Sequence, residues 1–279
     1  TSGLYFYGKL VLECEVPETP VVPETPVDPD DGYTYIHNVE EWYTLLAANP
    51  SGLFKLANDL YFENATLGAS GGYLVDTFSG ELNGNGHIIY DATLPGGWSK
   101  SNVIKINSGT IHNLGFINLQ SNKMLTNVAF VNENNGLMEN IYVDFVLNYD
   151  GVVREGTQAP LVAYSGSGLM QNCITNIRLG EGMEAAHPYV GSLVGRANKW
   201  ASQVKNSHAI VNDTGIEDIS GTDAADGSVT NQFKAAGCAQ HLTYADLLAD
   251  ADLTMFDTTI WSFGENSISF GGKVVLTVA

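Results

Sequence analysis

Gly109-Thr-Ile-His-Asn113-Leu114, Gly136-Leu-Met-Glu-Asn140-Ile141, Gly168-Leu-Met-Gln-Asn172-Cys173 and Trp200-Ala-Ser-Gln-Val-Lys-Asn206-Ser207 are four versions of one pattern. Each closes on an apolar-x-Asn triplet, and the Asn residues lie 27 (113 to 140), 32 (140 to 172) and 34 (172 to 206) positions apart. A second apolar element recurs upstream: Ala129-Phe-Val131, Leu161-Val-Ala163 and Leu193-Val-Gly195. Paired short strands joined by a Gly-containing turn and repeated at this period mark a solenoid, whose units bury apolar faces only by stacking on neighbours.

Around each Asn the apolar residues alternate, as in Ile111, Leu114 and Phe116 or Met138, Ile141 and Val143. That spacing, with β-branched and aromatic residues between Gly and Asn runs, predicts half-buried strands and tight turns. Helical periodicity is confined to Asn38–Ala48, with Val39, Trp42, Leu45 and Leu46 on one face, and to Thr243–Ala249. The expected fold is all-β: a right-handed parallel β-helix with a short N-terminal helical cap and a C-terminal capping segment. A β-sandwich is the alternative, disfavoured because two-residue Asn-Gly hairpin turns are nearly absent. Ile111, Ile141, Ile174 and Val204 are expected in stacked interior rows. Asn113, Asn140, Asn172 and Asn206 are read as structural corners whose side chains hydrogen-bond to one another and to backbone.

The charge is almost wholly acidic: 31 Asp and Glu against 12 Lys and Arg, net −19. So few cations cannot form the basic footprint that nucleic acid or an anionic membrane requires. No apolar run reaches the roughly 20 residues of a membrane span. Cys14, Cys173 and Cys238 are odd in number and far apart, which points to no disulfide framework or metal knuckle.

Pro17-Glu-Thr-Pro-Val21 repeats as Pro23-Glu-Thr-Pro-Val27 before Asp28-Pro-Asp-Asp31. Residues 17–32 therefore read as an extended, acidic spacer. Phe6-Tyr-Gly-Lys9-Leu-Val-Leu12 matches the last strand, Phe270-Gly-Gly-Lys-Val274-Val-Leu276, at a constant offset. Residues 1–16 are accordingly read as the terminal strand of a preceding module, and residues 33–279 as the β-helix domain. With no Met or leader at its start, the chain is expected to lack its true N-terminus.

Val190-Gly-Ser-Leu-Val-Gly195 followed by Val204-Lys-Asn-Ser-His-Ala209 resembles the GLUG-type repeat of bacterial surface proteins. Leu53-Phe-Lys-Leu-Ala-Asn-Asp-Leu60 is similar to the opening strand of such β-helices, Phe78–His87 to their first full coil, and Phe256-Asp-Thr-Thr-Ile-Trp261 to their closing segment. Ser192, Ala201 and Ser202 depart from the usual glycines. The resemblance implies the fold and extracellular display, and it brings no catalytic residues with it.

Candidate chemistry is sparse. Gly84-Asn-Gly-His87 lacks the third Gly and following helix of a dinucleotide loop and reads as a β-turn. The acids Asp91, Glu133, Glu139, Asp144, Asp150 and Glu155 never recur at one coil position, so the paired carboxylates of polysaccharide cleavage are not expected. His37, His87, His112, His187, His208 and His241 show neither His-x-His nor i, i+4 pairing, so no metal centre is expected from them. Asp213, Asp218, Asp223 and Asp226 could hold Ca²⁺ through oxygens, although a solvated loop is the preferred reading. Trp98 and Trp200 lie in polar turns where an aromatic ring can stack on a sugar. The expected function is a non-enzymatic, surface-displayed module for adhesion or glycan binding without a cofactor. Its expected partners are a surface glycan or a cell-surface protein, with neighbouring modules of its own chain. A virion surface protein and a polysaccharide-degrading enzyme are the alternatives.

Overall fold

The computed structural model describes residues 28–69, 72–95, 101–121, 128–148, 159–180, 192–196, 203–211 and 238–278. The chain divides between Asp31 and Gly32 into two units, and every element below belongs to the second. Strand β1 (Thr34–Ile36) leads into helix α1 (Val39–Ala48). The helix starts where its N-cap Asn38 Oδ1 accepts the Glu41 N–H (2.9 Å), while Glu41 Oε2 reaches back one residue beyond the cap to accept the His37 N–H (2.7 Å). Trp42 and Leu46 on its inner face are buried in the core of the first coil, where Trp42 Nε1 donates to Leu67 O at 3.0 Å.

The coils then follow. They comprise β2 (Leu53–Leu56), β3 (Leu60–Tyr61) and β4 (Val75–Phe78); β5 (Glu81–Asn83), β6 (Ile88–Tyr90) and β7 (Ser101–Asn107); and β8 (Thr110–Ser121) and β9 (Val128–Asn134). Next come β10 (Leu137–Leu147) and β11 (Val162–Ser165); β12 (Leu169–Gln171), β13 (Ile174–Leu179) and β14 (Val194–Arg196); and β15 (Gln203–Lys205), β16 (Ser207–Val211) and β17 (Cys238–His241). Pairing is parallel throughout, in the order β1-β2-β5-β8-β10-β13-β16-β17 for one sheet and β4-β7-β9-β11-β14 for the other. The result is a parallel β-solenoid of about four turns. The parallel register rules out the sandwich, which would need hairpin-joined neighbours.

Two devices let the coils stack. At each Asn corner the backbone turns through the left-handed region: φ is 54° at Asn113, 50° at Asn140, 53° at Asn172 and 41° at Asn206. Asn tolerates this conformation far better than a branched residue does. Before the Asn113, Asn140 and Asn172 corners comes a glycine whose requirement is space. A Cβ on Gly80, Gly109, Gly136 or Gly168 would lie 2.0–2.2 Å from the carbonyl oxygen of the preceding glycine in the row that starts at Gly52. Beside that row, inside the core, Asn107 Nδ2 donates to Asn134 Oδ1 (2.8 Å) while each amide oxygen caps its own Gly N–H.

The interior rows differ from the expected ones. Leu82, Ile111, Met138, Met170 and Val204 are stacked in register, and Leu114 stacks with Ile141 beyond the corner. Ile174 belongs to an outward row with Ile88, Gly115, Tyr142 and His208. The left-handed Asn breaks strict alternation, so residues on its two sides cannot be counted on one parity. Of the apolar triplets, Leu161–Ala163 and Leu193–Gly195 stack in the expected phase, Val162 against Val194, whereas Ala129–Val131 is one residue out, with Val131 against Val162. Nor do the corner side chains form a continuous ladder. Asn206 Nδ2 donates to Asn172 Oδ1 (2.9 Å), whereas Asn113 Oδ1 and Asn140 Oδ1 are buried without partners.

The outward row is covered by the chain's own C-terminal part: helix α2 (Tyr244–Asp250), a 3₁₀ turn at Leu253–Met255, and an antiparallel meander of β18 (Trp261–Phe263), β19 (Ser267–Phe270) and β20 (Lys273–Thr277). Ile88, Tyr142, Ile174 and Ile210 form a second core with Tyr244, Leu247, Phe256, Trp261, Ile268 and Phe270. Tyr142 Oη donates to Val275 O (3.2 Å), Asn172 Nδ2 to Met255 O (2.9 Å) and Lys273 Nζ to Asp59 Oδ1 (2.7 Å). Gly271 passes so close to Gly86 that a Cβ would lie 1.7 Å from the Gly86 oxygen. Among the described residues no helix is long and apolar enough to cross a membrane.

Candidate functional site

Strand alternation before the Asn corners sends Leu82, Ile111, Met138, Met170 and Val204 inward, and so turns the next residue of each coil outward. One register row therefore runs Tyr35, Lys55, Asn83, His112, Glu139, Gln171, Lys205 along the sheet face. Glu81 stands in the neighbouring outward row. These side chains are half-buried, apart from the exposed Lys205. They are also ordered against one another. Tyr33 Oη donates to Glu81 Oε1 (2.5 Å), His112 Nε2 lies 2.9 Å from the same oxygen, and Gln171 Nε2 donates to Glu139 Oε2 (2.6 Å). Lys55 Nζ sits 4.2 Å above the Tyr33 ring and 5.4 Å from that of Tyr35. Partial burial would raise the Glu81 carboxyl, but the hydrogen bonds from Tyr33 and His112 and the charges of His112 and Lys55 hold it below the ordinary range. The face therefore presents a carboxylate, amides, an imidazole and aromatic rings at the regular strand spacing of roughly 4.8 Å.

A second polar cluster is structural. At Asn118 (φ 55°) β8 bulges against β10, placing its N–H 3.2 Å from Asp144 Oδ2. Asp144, itself buried, also accepts Asn176 Nδ2 (2.9 Å), Arg178 Nε (3.0 Å) and Arg178 Nη2 (2.5 Å). Four donors saturate this carboxylate, so it is no reagent. The other acids stand elsewhere: Asp91 accepts from Asn118, Glu133 on β9 from Asn135, and Glu139 from Gln171.

The third cluster lies at the last described coil. His208 Nδ1 is 3.0 Å from His241 Nε2, and Asp250 Oδ2 is 3.9 and 3.8 Å from these two atoms. Burial, and then the neighbouring imidazole, push the pKa of His208 down to about 4, and burial lowers that of His241. Both rings are thus neutral at physiological pH. Among the described residues this is the one group of three His, Cys, Asp or Glu side chains whose candidate ligand atoms all lie within 4.8 Å of one another. Sequence reasoning missed it because the two histidines meet through coil stacking, 33 residues apart, and the acid comes from α2. The one available signal was that His208 stands two positions after the Asn206 corner.

Trp98, Trp200, Asp150, Glu155, Asp213, Asp218, Asp223 and Asp226 lie outside the described residues, as does most of the Pro-Glu-Thr-Pro spacer. Gly84–His87 is the expected turn, with His87 N donating to Gly84 O (2.8 Å) and positive φ at Asn85 and Gly86. Compared with protein families, curated proteins and solved structures, the chain finds no significant match in any of the three.

Proposed function

We propose that residues 33–279 form a non-catalytic binding module, displayed outside the cell, whose ligand is an extended glycan lying across the coils on the Tyr35–Lys205 face. The observation that carries this reading is the outward row itself. Its hydrogen-bonding side chains repeat at strand spacing, and the rings of Tyr33 and Tyr35 stand at one end beside Lys55. Sugar chains offer hydroxyls for such a row and apolar ring faces for aromatic contact. Glu81 is ionised and engaged by Tyr33 and His112, which suits it to accept hydrogen bonds rather than deliver a proton. The GLUG-type resemblance and the acidic spacer support the extracellular setting, and Trp98 and Trp200 are retained as further sugar contacts.

A glycan array followed by calorimetry on the best ligand tests the proposal. Tyr35→Ala with His112→Ala should weaken binding about tenfold or more, given about 1–3 kcal/mol for contacts of this kind, with the native β-rich circular dichroism spectrum retained. Binding unaffected by the pair, or reducing sugar released from the bound glycan, would overturn it.

A further inference from the structure

We propose that His208, His241 and Asp250 form a binding site for one zinc-class divalent cation that fastens α2 to the last described coil. The site is independent of the glycan-binding face.

The geometry comes first. Zinc bound by imidazole nitrogen and carboxylate oxygen at roughly 2.0–2.2 Å sets ligand atoms about 3.4 Å apart on a tetrahedron. The three edges here are 3.0, 3.8 and 3.9 Å. Each is within about half an ångström of that requirement, and the movement asked for is a slight parting of two rings and an inward swing of one carboxylate. The carboxylate can move, because the Asp250 side chain is 46% exposed while those of the histidines are 0% and 6% exposed. The fourth position accordingly opens toward solvent.

The surroundings supply a second, separate indication. A metal-binding histidine usually donates its other ring N–H to a fixed acceptor, which selects the tautomer and aims the free lone pair. His208 Nε2 lies 3.3 Å from Asn206 Oδ1, so this nitrogen carries the proton and Nδ1 keeps its lone pair toward His241 and Asp250. The Asn206 amide cannot flip without loss. Its Nδ2 donates to Asn172 Oδ1 (2.9 Å) and Asp252 O (3.0 Å), and its Oδ1 also accepts the Asp252 N–H (3.0 Å). Thus the corner Asn acts as the outer ligand shell.

Asp250 adds a third indication. It is the last residue of α2, where unpaired carbonyls disfavour a negative charge and no basic residue stands in the final turn. A cation there removes the conflict. Two nitrogens and one oxygen select zinc, nickel or cobalt over Ca²⁺, which needs six to eight oxygens.

The test uses the full 279-residue chain, stripped of metal by chelator and titrated with Zn²⁺ by calorimetry, with Ca²⁺ in parallel. The expected result is one saturable Zn²⁺ site per chain in the micromolar range or tighter, with no Ca²⁺ response at equal concentration. Asp250→Asn should weaken it about tenfold and His241→Gln about a hundredfold, and zinc-edge X-ray absorption should show two imidazoles. His37→Gln, at the His37–Glu41 pair, should leave the isotherm unchanged. Absence of saturable uptake below about 100 µM would overturn the proposal and leave a plain imidazole–imidazole hydrogen bond. So would isotherms of the wild-type kind in Asp250→Asn. That exposed substitution decides the matter alone if circular dichroism shows His241→Gln to be unfolded.

Discussion

Replacing Gly109 by Ala tests the stacking of the coils at its tightest point. Gly109 does not occupy the left-handed region, so alanine meets no dihedral penalty there. What it meets is the Gly80 carbonyl oxygen, 2.1 Å from the new Cβ, with Ser79 C at 2.8 Å. An ordinary carbon–oxygen contact requires about 1 Å more. That shift would stretch the Thr110 N–Gly80 O hydrogen bond, now 2.9 Å, past any useful length. Losing the bond and leaving its half-buried groups unsatisfied costs about 3 kcal/mol. Reduced freedom of the unfolded chain returns about 0.5–1 kcal/mol, leaving about 2 kcal/mol of net destabilisation. For a unit of this size the melting temperature should fall by about 4–8 °C in differential scanning calorimetry. Ser108→Ala, at the exposed neighbouring position, should stay within about 0.5 kcal/mol of the wild type. A melting temperature unchanged in Gly109→Ala would refute the claim that the glycine row sets coil spacing.

Two further outcomes follow from buried titratable groups. The folded pKa of His208, about 4, lies below its ordinary value near 6.5, so the unfolded chain binds the additional proton and stability drains away as pH falls through that interval. In chelator, urea midpoints should show about 2 kcal/mol lost between pH 7.5 and pH 5, and His208→Gln should flatten this slope; an equal loss in both proteins would contradict the assignment. Cys173 is fully buried, and burial pushes its thiol up to about 12. Iodoacetamide should therefore leave the Cys173 peptide unlabelled in the native protein and label it in urea, as read by mass spectrometry.

The solenoid was legible because its two stacking devices are written as residue types. Asn at 113, 140, 172 and 206 marks where the backbone turns left-handed, and Gly at 109, 136 and 168 marks where coils touch. Both helices were legible for similar local reasons, with Asn38 and Thr243 as caps. Register was not. Each left-handed corner shifts the parity of the strand beyond it, so Ile174 turned outward while Met138 and Met170 took the inner places assigned to Ile141 and Ile174. The polar face and the His208–His241 pair were hidden for a different reason. Their members are one coil apart, and coils of unequal length leave no fixed sequence spacing to search for. Asp144 was counted as a candidate acid because its four donors come from the strands stacked on either side of it, one of them at a bulge that periodicity cannot reveal.

The C-terminal meander changes how such a chain must fold. Stacked coils with only neighbouring contacts behave as a row of weakly linked units, able to form or fray from either end. Here the last strand of the meander returns across that row to reach Asp59, 214 residues earlier, and the C-terminal part seals the flank on the way. Contact order rises sharply with that closure, which slows folding and makes completion depend on the final residues of the module. In exchange, the last described coil, which contributes Ile210, cannot peel away by itself without first breaking the shared second core. Loss of the last thirty residues should accordingly convert one sharp unfolding transition into a broad, stepwise one.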